Sequence, residues 1–332
     1  MRPGLSLEQV SYPLARPFRI ARGVRTATEV VVATVSDGQS IGRGESLPYP
    51  RYAESAASVM AQAEALAPAI AEGLDRRQLQ ALMPAGAARN ALDCALWDLK
   101  SRQQRRSVAA MLGHPGALPT LAGAHTVSLD TPEHMARAAA GLRQLDLVKI
   151  KVDGTDPAAR IRAVRSQLPE ARLIVDPNES WDLELLRSMQ PVLLEARIDL
   201  VEQPLPADTD AALQGFQSAT RLCADESCHV AADLPRLRER YQVINIKLDK
   251  TGGLTGALEL LHAAQASGFG IMVGCMICSS LAIAPAWHLA RHAEFVDLDG
   301  PLWLVEDHSG GVLMHEGRLQ PPSPRLWGGG IA

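Results

Sequence analysis

The stretch LDLVKIKVDG (residues 145–154) places two lysines, Lys149 and Lys151, at the end of a short run of branched aliphatic residues. Side chains alternate faces along a strand, so both lysines point to one side while Val148 and Ile150 point to the other. At intervals of about 25 residues, further aliphatic runs end in a charged residue: Asp176, Glu202, Asp225 and Lys247. That interval is one strand followed by one helix, and its repetition predicts a parallel β/α barrel.

The carboxyl ends of the strands of such a barrel meet at one mouth. We therefore expect the six charged side chains to share a single site. Two lysines buried together are costly unless anions neutralise them or one pKa falls. A lysine whose pKa is brought down to about 7–8 is a competent general base. The alternative, a solvated surface strand, fits poorly with the apolar neighbours of both lysines.

Three carboxylates at one mouth would repel each other unless a cation lies among them. Hard oxygen ligands favour Mg²⁺ over zinc, so Asp176, Glu202 and Asp225 are predicted to bind one Mg²⁺ per subunit. No organic cofactor is predicted.

Lys247 falls on the sixth predicted strand, opposite Lys151 on the second, and Asn245 and Asp249 are expected to share its face. One lysine could remove a proton α to a carboxylate while the other reprotonates the opposite face, which is racemisation or epimerisation.

Composition limits the class of protein. The chain has 332 residues and a formal net charge of −4, which gives no basic footprint for nucleic acid. No apolar run approaches the ~18 residues that span a bilayer, and the N-terminus lacks the apolar segment of a secretion signal. We expect a cytoplasmic protein with no nucleic-acid or membrane partner.

The five cysteines do not suggest a disulfide framework. Cys275 and Cys278 form a CxxC pair that could indicate redox or zinc chemistry. A second pair at zinc spacing is missing, because Cys223 and Cys228 are too far apart. We favour the interpretation that Cys275 and Cys278 are small residues lining the barrel mouth.

The chain before the barrel has a different pattern. Two extended segments meet around Asp37-Gly38, a hairpin signal, and residues 53–111 read as helices. We predict an α+β domain over residues 1–112, a barrel over 119–300, and a C-terminal segment, 301–332, that returns to the first domain through a short hairpin.

Several motifs resemble those of the enolase superfamily, in its muconate-lactonising subgroup: ARNALDCALWDLKSR, VKIKVD, IVDPNESW, LVEQPLP, ADES and NIKLDKTGG. GESLPYPRYAES, GCMICSS and DLDGPLWL more narrowly resemble dipeptide epimerases. The resemblance covers nearly the whole chain and implies an α/β fold, a (β/α)7β modified TIM barrel under an α+β capping domain. It also implies that Lys151 and Lys247 are the two bases and that Lys149 is an electrostatic partner beside the substrate carboxylate. A lysine base with an Mg²⁺-stabilised enediolate is the known pattern of this superfamily.

The resemblance also identifies residues that select the substrate. In dipeptide epimerases an aspartate pair equivalent to Asp297 and Asp299 binds the ammonium group of the N-terminal residue. The capping loop PFRIARGVR offers three arginines for a glutamyl carboxylate, and Arg22 is the preferred one. Thr126 is a further candidate for the pocket.

The resemblance implies an isomerase that epimerises a small dipeptide, L-Ala-D/L-Glu or a close analogue, at the glutamyl α-carbon during murein peptide recycling. The sequence does not determine whether it forms a homo-oligomer. An N-acylamino-acid racemase or an o-succinylbenzoate synthase would use the same barrel. The aspartate pair argues against both, because their substrates lack an ammonium group. A non-catalytic ligand-binding barrel would be indicated by loss of a base or ligand, and none is missing.

Overall fold

The computed structural model describes residues 4–330. Its first part is an antiparallel three-stranded sheet packed against helices, with these bounds: β1 (Gly4–Ile20), β2 (Gly23–Ser36), β3 (Ile41–Ser46), α1 (Ala56–Glu64), α2 (Ala67–Ala71), α3 (Arg76–Leu82), α4 (Ala87–Gln104) and α5 (Val108–Met111). The turn between β2 and β3 lies at Asp37–Ser40, which confirms the predicted hairpin. The α4 helix packs directly on β3: a Cβ on Gly42 would lie 2.2 Å from the carbonyl oxygen of Ala95. Only glycine permits that approach.

The second part is a ring of eight parallel strands that pair in chain order: β4 (His125–Val127), β5 (Leu147–Lys151), β6 (Arg172–Asp176), β7 (Leu200–Glu202), β8 (Arg221–Ala224), β9 (Val243–Ile246), β10 (Gly270–Gly274) and β11 (Phe295–Asp297). A parallel bridge between Gly123 and Val296 joins the first strand to the last. The predicted barrel with a separate α+β domain is confirmed.

Helices fill most of the gaps between barrel strands: α6 (Pro132–Ala140), α7 (Pro157–Gln167), α8 (Leu183–Glu195), α9 (Leu234–Leu237), α10 (Leu248–Thr251), α11 (Leu254–Ala266) and α12 (Ser280–Ala290). The gap between β7 and β8 differs from the predicted pattern, since it holds only a 3-10 turn, Asp210–Leu213. Pro204 and Pro206 keep the start of this segment out of a helix, because proline removes a backbone donor and disfavours helix in the residue before it.

The interior of the barrel is built from two stacked layers. The apolar layer has one residue from, or just before, each strand: Ala124, Leu147, Ile174, Leu200, Cys223, Val243, Met272 and Phe295. The polar layer lies two residues further along each strand, on the same face: Thr126, Lys149, Asp176, Glu202, Asp225, Asn245, Gly274 and Asp297. The fold therefore places the predicted chemistry directly above a hydrocarbon floor.

Buried polar contacts join the two domains. Asp249 Oδ1 accepts hydrogen bonds from the Leu47 amide at 2.9 Å and from Asn90 Nδ2 at 2.7 Å. Trp97 Nε1 donates to Thr255 Oγ1 at 3.0 Å. These contacts fix the capping domain over the carboxyl ends of the barrel strands.

The chain ends with a hairpin of β12 (Leu313–His315) and β13 (Arg318–Gln320). Beyond it, Trp327 Nε1 donates to the carbonyl oxygen of Cys94 on α4 at 3.1 Å. The last described residues thus contact the capping domain. Within residues 4–330, every helix is too short or too polar to cross a lipid bilayer.

Candidate active site

A cavity of about 180 Å³ opens at the mouth of the barrel, between the strand ends and the capping domain. Its floor includes Thr126, Lys149, Lys151, Asn178, Asp225, Glu226, Lys247, Cys275, Asp297 and Asp299. Its roof includes Phe18, Ile20, Arg22, Val24, Arg25 and Tyr49. The structure therefore brings most of the predicted site residues to one cavity. Asp176 and Glu202 lie beneath it, fully buried.

Lys149 lies at the centre of the polar layer. Its Nζ is 2.9 Å from Asp176 Oδ2, 2.6 Å from Glu202 Oε2 and 2.8 Å from Asp297 Oδ2. The side chain is almost fully buried, so its charge depends on these carboxylates for compensation. One ammonium group thus links the predicted metal ligands to the predicted substrate-binding acid.

Lys151 and Lys247 stand on different sides of the ring. Lys151 ends β5 and donates to Asp176 Oδ2 at 2.6 Å. Lys247 follows β9, four strands further round the eight-stranded ring, and donates to Asp225 Oδ2 at 2.6 Å. Both line the cavity, so two amines approach one space from opposite walls.

The strand ends also explain where Asp249 goes. Asn245 shares the interior face with Lys247 as expected, and its Nδ2 donates to Glu202 Oε1 at 2.9 Å. The expectation for Asp249 is wrong. Strand β9 ends at Ile246 and α10 begins at Leu248, so the alternation of faces stops and Asp249 turns toward the capping domain.

As they stand, no three acidic, imidazole or thiol groups within residues 4–330 form a ready set of metal ligands. Lys149 lies between Asp176 and Glu202 and accounts for this. The chemistry of the donors nevertheless fits a hard cation, since three buried carboxylates come from neighbouring strands. In the described part of the chain, Glu202 Oε2 is buried without a well-aligned hydrogen-bond donor, and so is Asn178 Oδ1. The residues present therefore fit a divalent metal.

Ion pairing dominates the electrostatics of the site. Burial acts to raise the pKa of Asp176 and Asp225, but lysine contacts outweigh it and hold both carboxyls below their usual range. Burial raises the pKa of Glu202 to about 7. Burial acts to lower the pKa of Lys247, yet Asp225 and Glu202 raise it above its ordinary value. The lowered lysine pKa expected from the sequence is therefore not found at Lys247, because Asp225 pairs with it directly and Glu202 adds further negative charge.

Asp297 and Asp299 both line the cavity. Asp297 Oδ2 accepts from Lys149, while Asp297 Oδ1 is buried and has no hydrogen-bond partner within residues 4–330. Asp299 Oδ2 accepts from the Thr126 amide at 2.7 Å and from Trp303 Nε1 at 3.2 Å. Thr126 thus contacts the pair through its backbone. Burial and the adjacent Asp297 raise the pKa of Asp299. A cation bound beside Asp299 would lower that pKa again.

The capping-loop arginines have different partners. Arg22 donates to Glu226 Oε1 at 2.8 Å and to Glu179 Oε2 at 3.0 Å. Arg25 lines the cavity with its guanidinium 5.3 Å from the centre of the Tyr49 ring. Among residues 4–330, no carboxylate lies within ion-pair distance of Arg25. Of the two capping-loop arginines that line the cavity, Arg22 and Arg25, Arg25 is thus the one without an ion pair among residues 4–330.

Sequence reasoning missed two groups that support the site. Lys250 Nζ donates to Asp225 Oδ1 at 2.7 Å and to the carbonyl oxygen of Asn245 at 2.9 Å, and so orients a predicted ligand. Glu179 accepts two hydrogen bonds from Arg51, both at 2.8 Å, and so joins the segment between β3 and α1 to the barrel. The signal for Lys250 was its position three residues after Lys247, which places it on the next helical turn.

The prediction that both cysteines line the barrel mouth is right for Cys275 and wrong for Cys278. Cys275 is partly exposed and lines the cavity, whereas Cys278 is buried, and both are free thiols. The hydrogen bond with Cys275 and, to a smaller extent, burial raise the pKa of Cys278. A raised pKa disfavours the reactive thiolate form, so Cys278 is a poor candidate for redox chemistry.

Comparison with known families gives two matches that cover most of the chain. Residues 4–113 match the family described as mandelate racemase / muconate lactonizing enzyme, N-terminal domain. Residues 133–331 match the family described as enolase C-terminal domain-like.

Two curated relatives align over nearly their full length. The L-Ala-D/L-Glu epimerase of Escherichia coli (strain K12) is 48% identical over 312 residues, covering 93% of this chain and 97% of the relative. The N-acetyl-D-glutamate racemase of a Pseudoalteromonas species is 45% identical over 302 residues, covering 90% and 95%.

Two solved structures superpose closely on this chain. An enolase family member from Agrobacterium tumefaciens with homology to dipeptide epimerases, solved with sodium and L-Ala-L-Glu, superposes with a TM-score of 0.95 at 46% identity and covers 98% of this chain and 99% of its own. A dipeptide epimerase from Enterococcus faecalis V583, complexed with Mg and L-Leu-L-Tyr, superposes with a TM-score of 0.88 at 27% identity and covers 97% of both chains.

Proposed function

We propose, from the premise that this chain belongs to the enolase superfamily and to its mandelate racemase / muconate lactonizing enzyme group, that it is an L-Ala-D/L-Glu epimerase. The reaction is inversion of configuration at the glutamyl α-carbon. The observation that carries the proposal is the pair of lysines, Lys151 and Lys247, on opposite walls of one carboxylate-lined cavity. A role in murein peptide recycling is the physiological part of the proposal.

Each lysine serves one face of the substrate. In the neutral form, Lys151 or Lys247 takes the proton from the glutamyl α-carbon, and the opposite lysine, as an ammonium, delivers a proton to the other face. The roles exchange for the reverse reaction. Lys149, held by three carboxylates, stays cationic and stabilises the negative charge that grows on the substrate carboxylate.

Asp176, Glu202 and Asp225 would hold the divalent metal, which we propose to be Mg²⁺. When bound, the metal supplies Lewis-acid stabilisation of the carboxylate as it gains charge. The chain's own contribution is to orient these ligands. The backbone amide of Asn178 donates to Asp176 at 2.9 Å, the side chain of Asn245 donates to Glu202, and Lys250 donates to Asp225.

The two ends of the dipeptide have different partners. Asp297 and Asp299 would bind the ammonium group of the first residue, because two buried carboxylates suit a cation and Asp297 Oδ1 has no hydrogen-bond partner among residues 4–330. The glutamyl carboxylate needs a cation on the capping side. We propose Arg25 for that role, since Arg22 is already paired with Glu179 and Glu226.

Arg25→Ala should lose the preference for glutamate as the second residue of the dipeptide. Comparing turnover of L-Ala-L-Glu with that of dipeptides whose second residue is hydrophobic or aromatic would reveal the loss. Arg22→Ala should instead disturb the capping loop and reduce turnover of all dipeptides alike. If Arg22→Ala alone changed the side-chain preference, the original choice of Arg22 would be correct.

A second candidate of the same superfamily is a racemase of N-acetylglutamate, favoured by the identity to the Pseudoalteromonas protein. The aspartate pair separates the two candidates, because an acetylated amine carries no charge. An o-succinylbenzoate synthase substrate likewise offers no ammonium group. A non-catalytic binding barrel would have no use for two opposed lysines.

The test is incubation of the enzyme and Mg²⁺ with L-Ala-L-Glu, followed by chiral chromatography. We expect L-Ala-D-Glu to accumulate to equilibrium, and chelation of the metal to stop the reaction until Mg²⁺ is restored. N-acetyl-L-glutamate is run in parallel. Turnover of the acetylated compound without turnover of the dipeptide would favour the second candidate, and turnover of neither would contradict both.

A further inference from the structure

Behind Asp299 lies a stack of three side chains outside the set that lines the substrate cavity. The His125 imidazole is parallel to the Trp303 indole, with ring centroids 5.9 Å apart and an interplanar angle of 5°. The Arg16 guanidinium lies over the indole at 4.3 Å. Trp303 Nε1 donates to Asp299 Oδ2 at 3.2 Å, and His125 Nδ1 lies 3.9 Å from the same oxygen. The stack therefore connects β1 of the capping domain to Asp299.

Arg16 determines which nitrogen of His125 carries a proton. Its Nη2 lies 2.7 Å from His125 Nε2. A guanidinium can only donate, so Nε2 must accept and the single ring proton lies on Nδ1, facing Asp299. A second proton on Nε2 would place two donors against each other at hydrogen-bond distance. Arg16 therefore opposes formation of the imidazolium.

The other groups around His125 act in both directions. Burial lowers its pKa, Asp299 raises it, Arg16 lowers it and Asp297 raises it. Further charged groups of the adjoining cavity are Arg19, Asp130 and His134, of which Asp130 and His134 pair with each other at 3.1 Å. Without Arg16, two nearby carboxylates would face an imidazole whose ordinary pKa is about 6.5.

We propose that Arg16 and His125 are positioning residues that determine specificity: Arg16 keeps His125 neutral, and the Asp299 carboxylate thereby stays available to the substrate ammonium group. The inference rests on the proposed function. An imidazolium beside Asp299 would compete with that ammonium for the same carboxylate. A substrate with an acylated amine has no cation to lose, so it should be insensitive to the charge of His125.

The direct test measures the charge of His125 without substrate. NMR titration of histidine-labelled protein follows the nine histidines, and His125→Phe identifies the His125 resonance. We expect wild-type His125 to titrate below the ordinary range of histidine, and Arg16→Met to raise its pKa by about one unit or more. Arg16→Lys, which retains a donor, should restore most of the wild-type behaviour. An unchanged titration in Arg16→Met would overturn the proposal, whatever the enzyme's substrate.

The functional test compares kcat/KM for L-Ala-L-Glu between pH 5.5 and 8.5, each variant relative to wild type at the same pH. Arg16→Met should lose roughly tenfold at pH 5.5 and little at pH 8.5, mainly through KM. Adding His125→Phe should remove that pH dependence. For exchange of the α-proton of N-acetyl-L-glutamate, Arg16→Met should show no such pH dependence. A loss equal at every pH, or equal for both compounds, would mean that the stack is only structural.

Discussion

The two layers inside the barrel occupy the same strands and are both buried, yet the apolar layer stabilises the fold while the polar layer carries the chemistry. Each side chain of the apolar layer is 2% exposed or less, and its burial removes hydrocarbon from water. The polar layer, two residues above, is also buried but consists largely of charges that recover their lost hydration through ion pairs. Stability and chemistry are thus separated by one full period of strand alternation, which is two residues. Mutations should therefore be able to change one without the other.

The largest effect should come from removing a base at the barrel mouth. Lys151→Ala and Lys247→Ala should each abolish epimerisation, lowering kcat by a factor of about 10³ or more, because general acid–base catalysis is lost on one face. Chiral chromatography measures turnover, and thermal denaturation checks that each variant is folded. Either variant epimerising at near the wild-type rate would break the two-base scheme.

A truncation in the apolar layer should show the reverse pattern. Leu200→Ala removes a fully buried side chain two residues below Glu202. We expect the free energy of unfolding to fall by about 2–5 kcal/mol, because a cavity forms, while kcat of the folded enzyme stays within a few-fold. Denaturant unfolding and kinetics below the transition measure the two quantities. The matched control is Leu260→Ala, equally buried but on α11 outside the barrel ring. A much larger loss of kcat at Leu200 than at Leu260 would show that the layers are coupled.

A change at the substrate end of the polar layer should be smaller and selective. Asp297→Asn keeps the size of the side chain but removes the charge proposed to bind the ammonium group. We expect kcat/KM for L-Ala-L-Glu to fall by about 10–100-fold, the worth of one charge-assisted interaction. The α-proton exchange of N-acetyl-L-glutamate should fall much less. Because Asp297 also pairs with Lys149, an equal loss for both compounds would point to that pairing instead.

The smallest effect concerns Asp249, where the two-residue alternation ends. Burial raises its pKa to about 7, against about 3.9 in an unfolded chain. The folded protein thus binds this proton more tightly, so the free energy of unfolding should decrease as pH rises from about 4 to about 7. Asp249→Asn keeps an acceptor for Leu47 and Asn90 and should remove that part of the slope, at most about 1.4 kcal/mol per pH unit. Denaturant unfolding at pH 5 and pH 8 measures it, and an unchanged slope would contradict the prediction.

The sequence predicted what depends on strand periodicity. Lys149 and Lys151 share a face because they are two residues apart, and the acids at successive strand ends reach one mouth because parallel strands bring them there. The polar layer could be predicted for the same reason. The apolar layer beneath it could have been found by moving two residues back along the strand from each residue of the polar layer.

What the sequence did not predict depends on where strands end and on loop conformation. Asp249 leaves the barrel because β9 stops at Ile246. The pairing of Arg22 with Glu179 and Glu226 requires the capping loop to meet two barrel loops that are far away in sequence. Glu179 also has a left-handed backbone, with φ of 67°, which no local pattern indicated. Contacts of this kind arise from tertiary packing and have no periodic signature.

The central claim is that two amines on opposite walls exchange the glutamyl α-proton with solvent. The most direct measurement is NMR of L-Ala-L-Glu incubated with the enzyme and Mg²⁺ in D₂O. Deuterium should replace hydrogen at the glutamyl α-carbon, in step with formation of L-Ala-D-Glu, while the alanyl α-proton is retained. Formation of the epimer with its original α-hydrogen in place, or label only at the alanyl carbon, would contradict it.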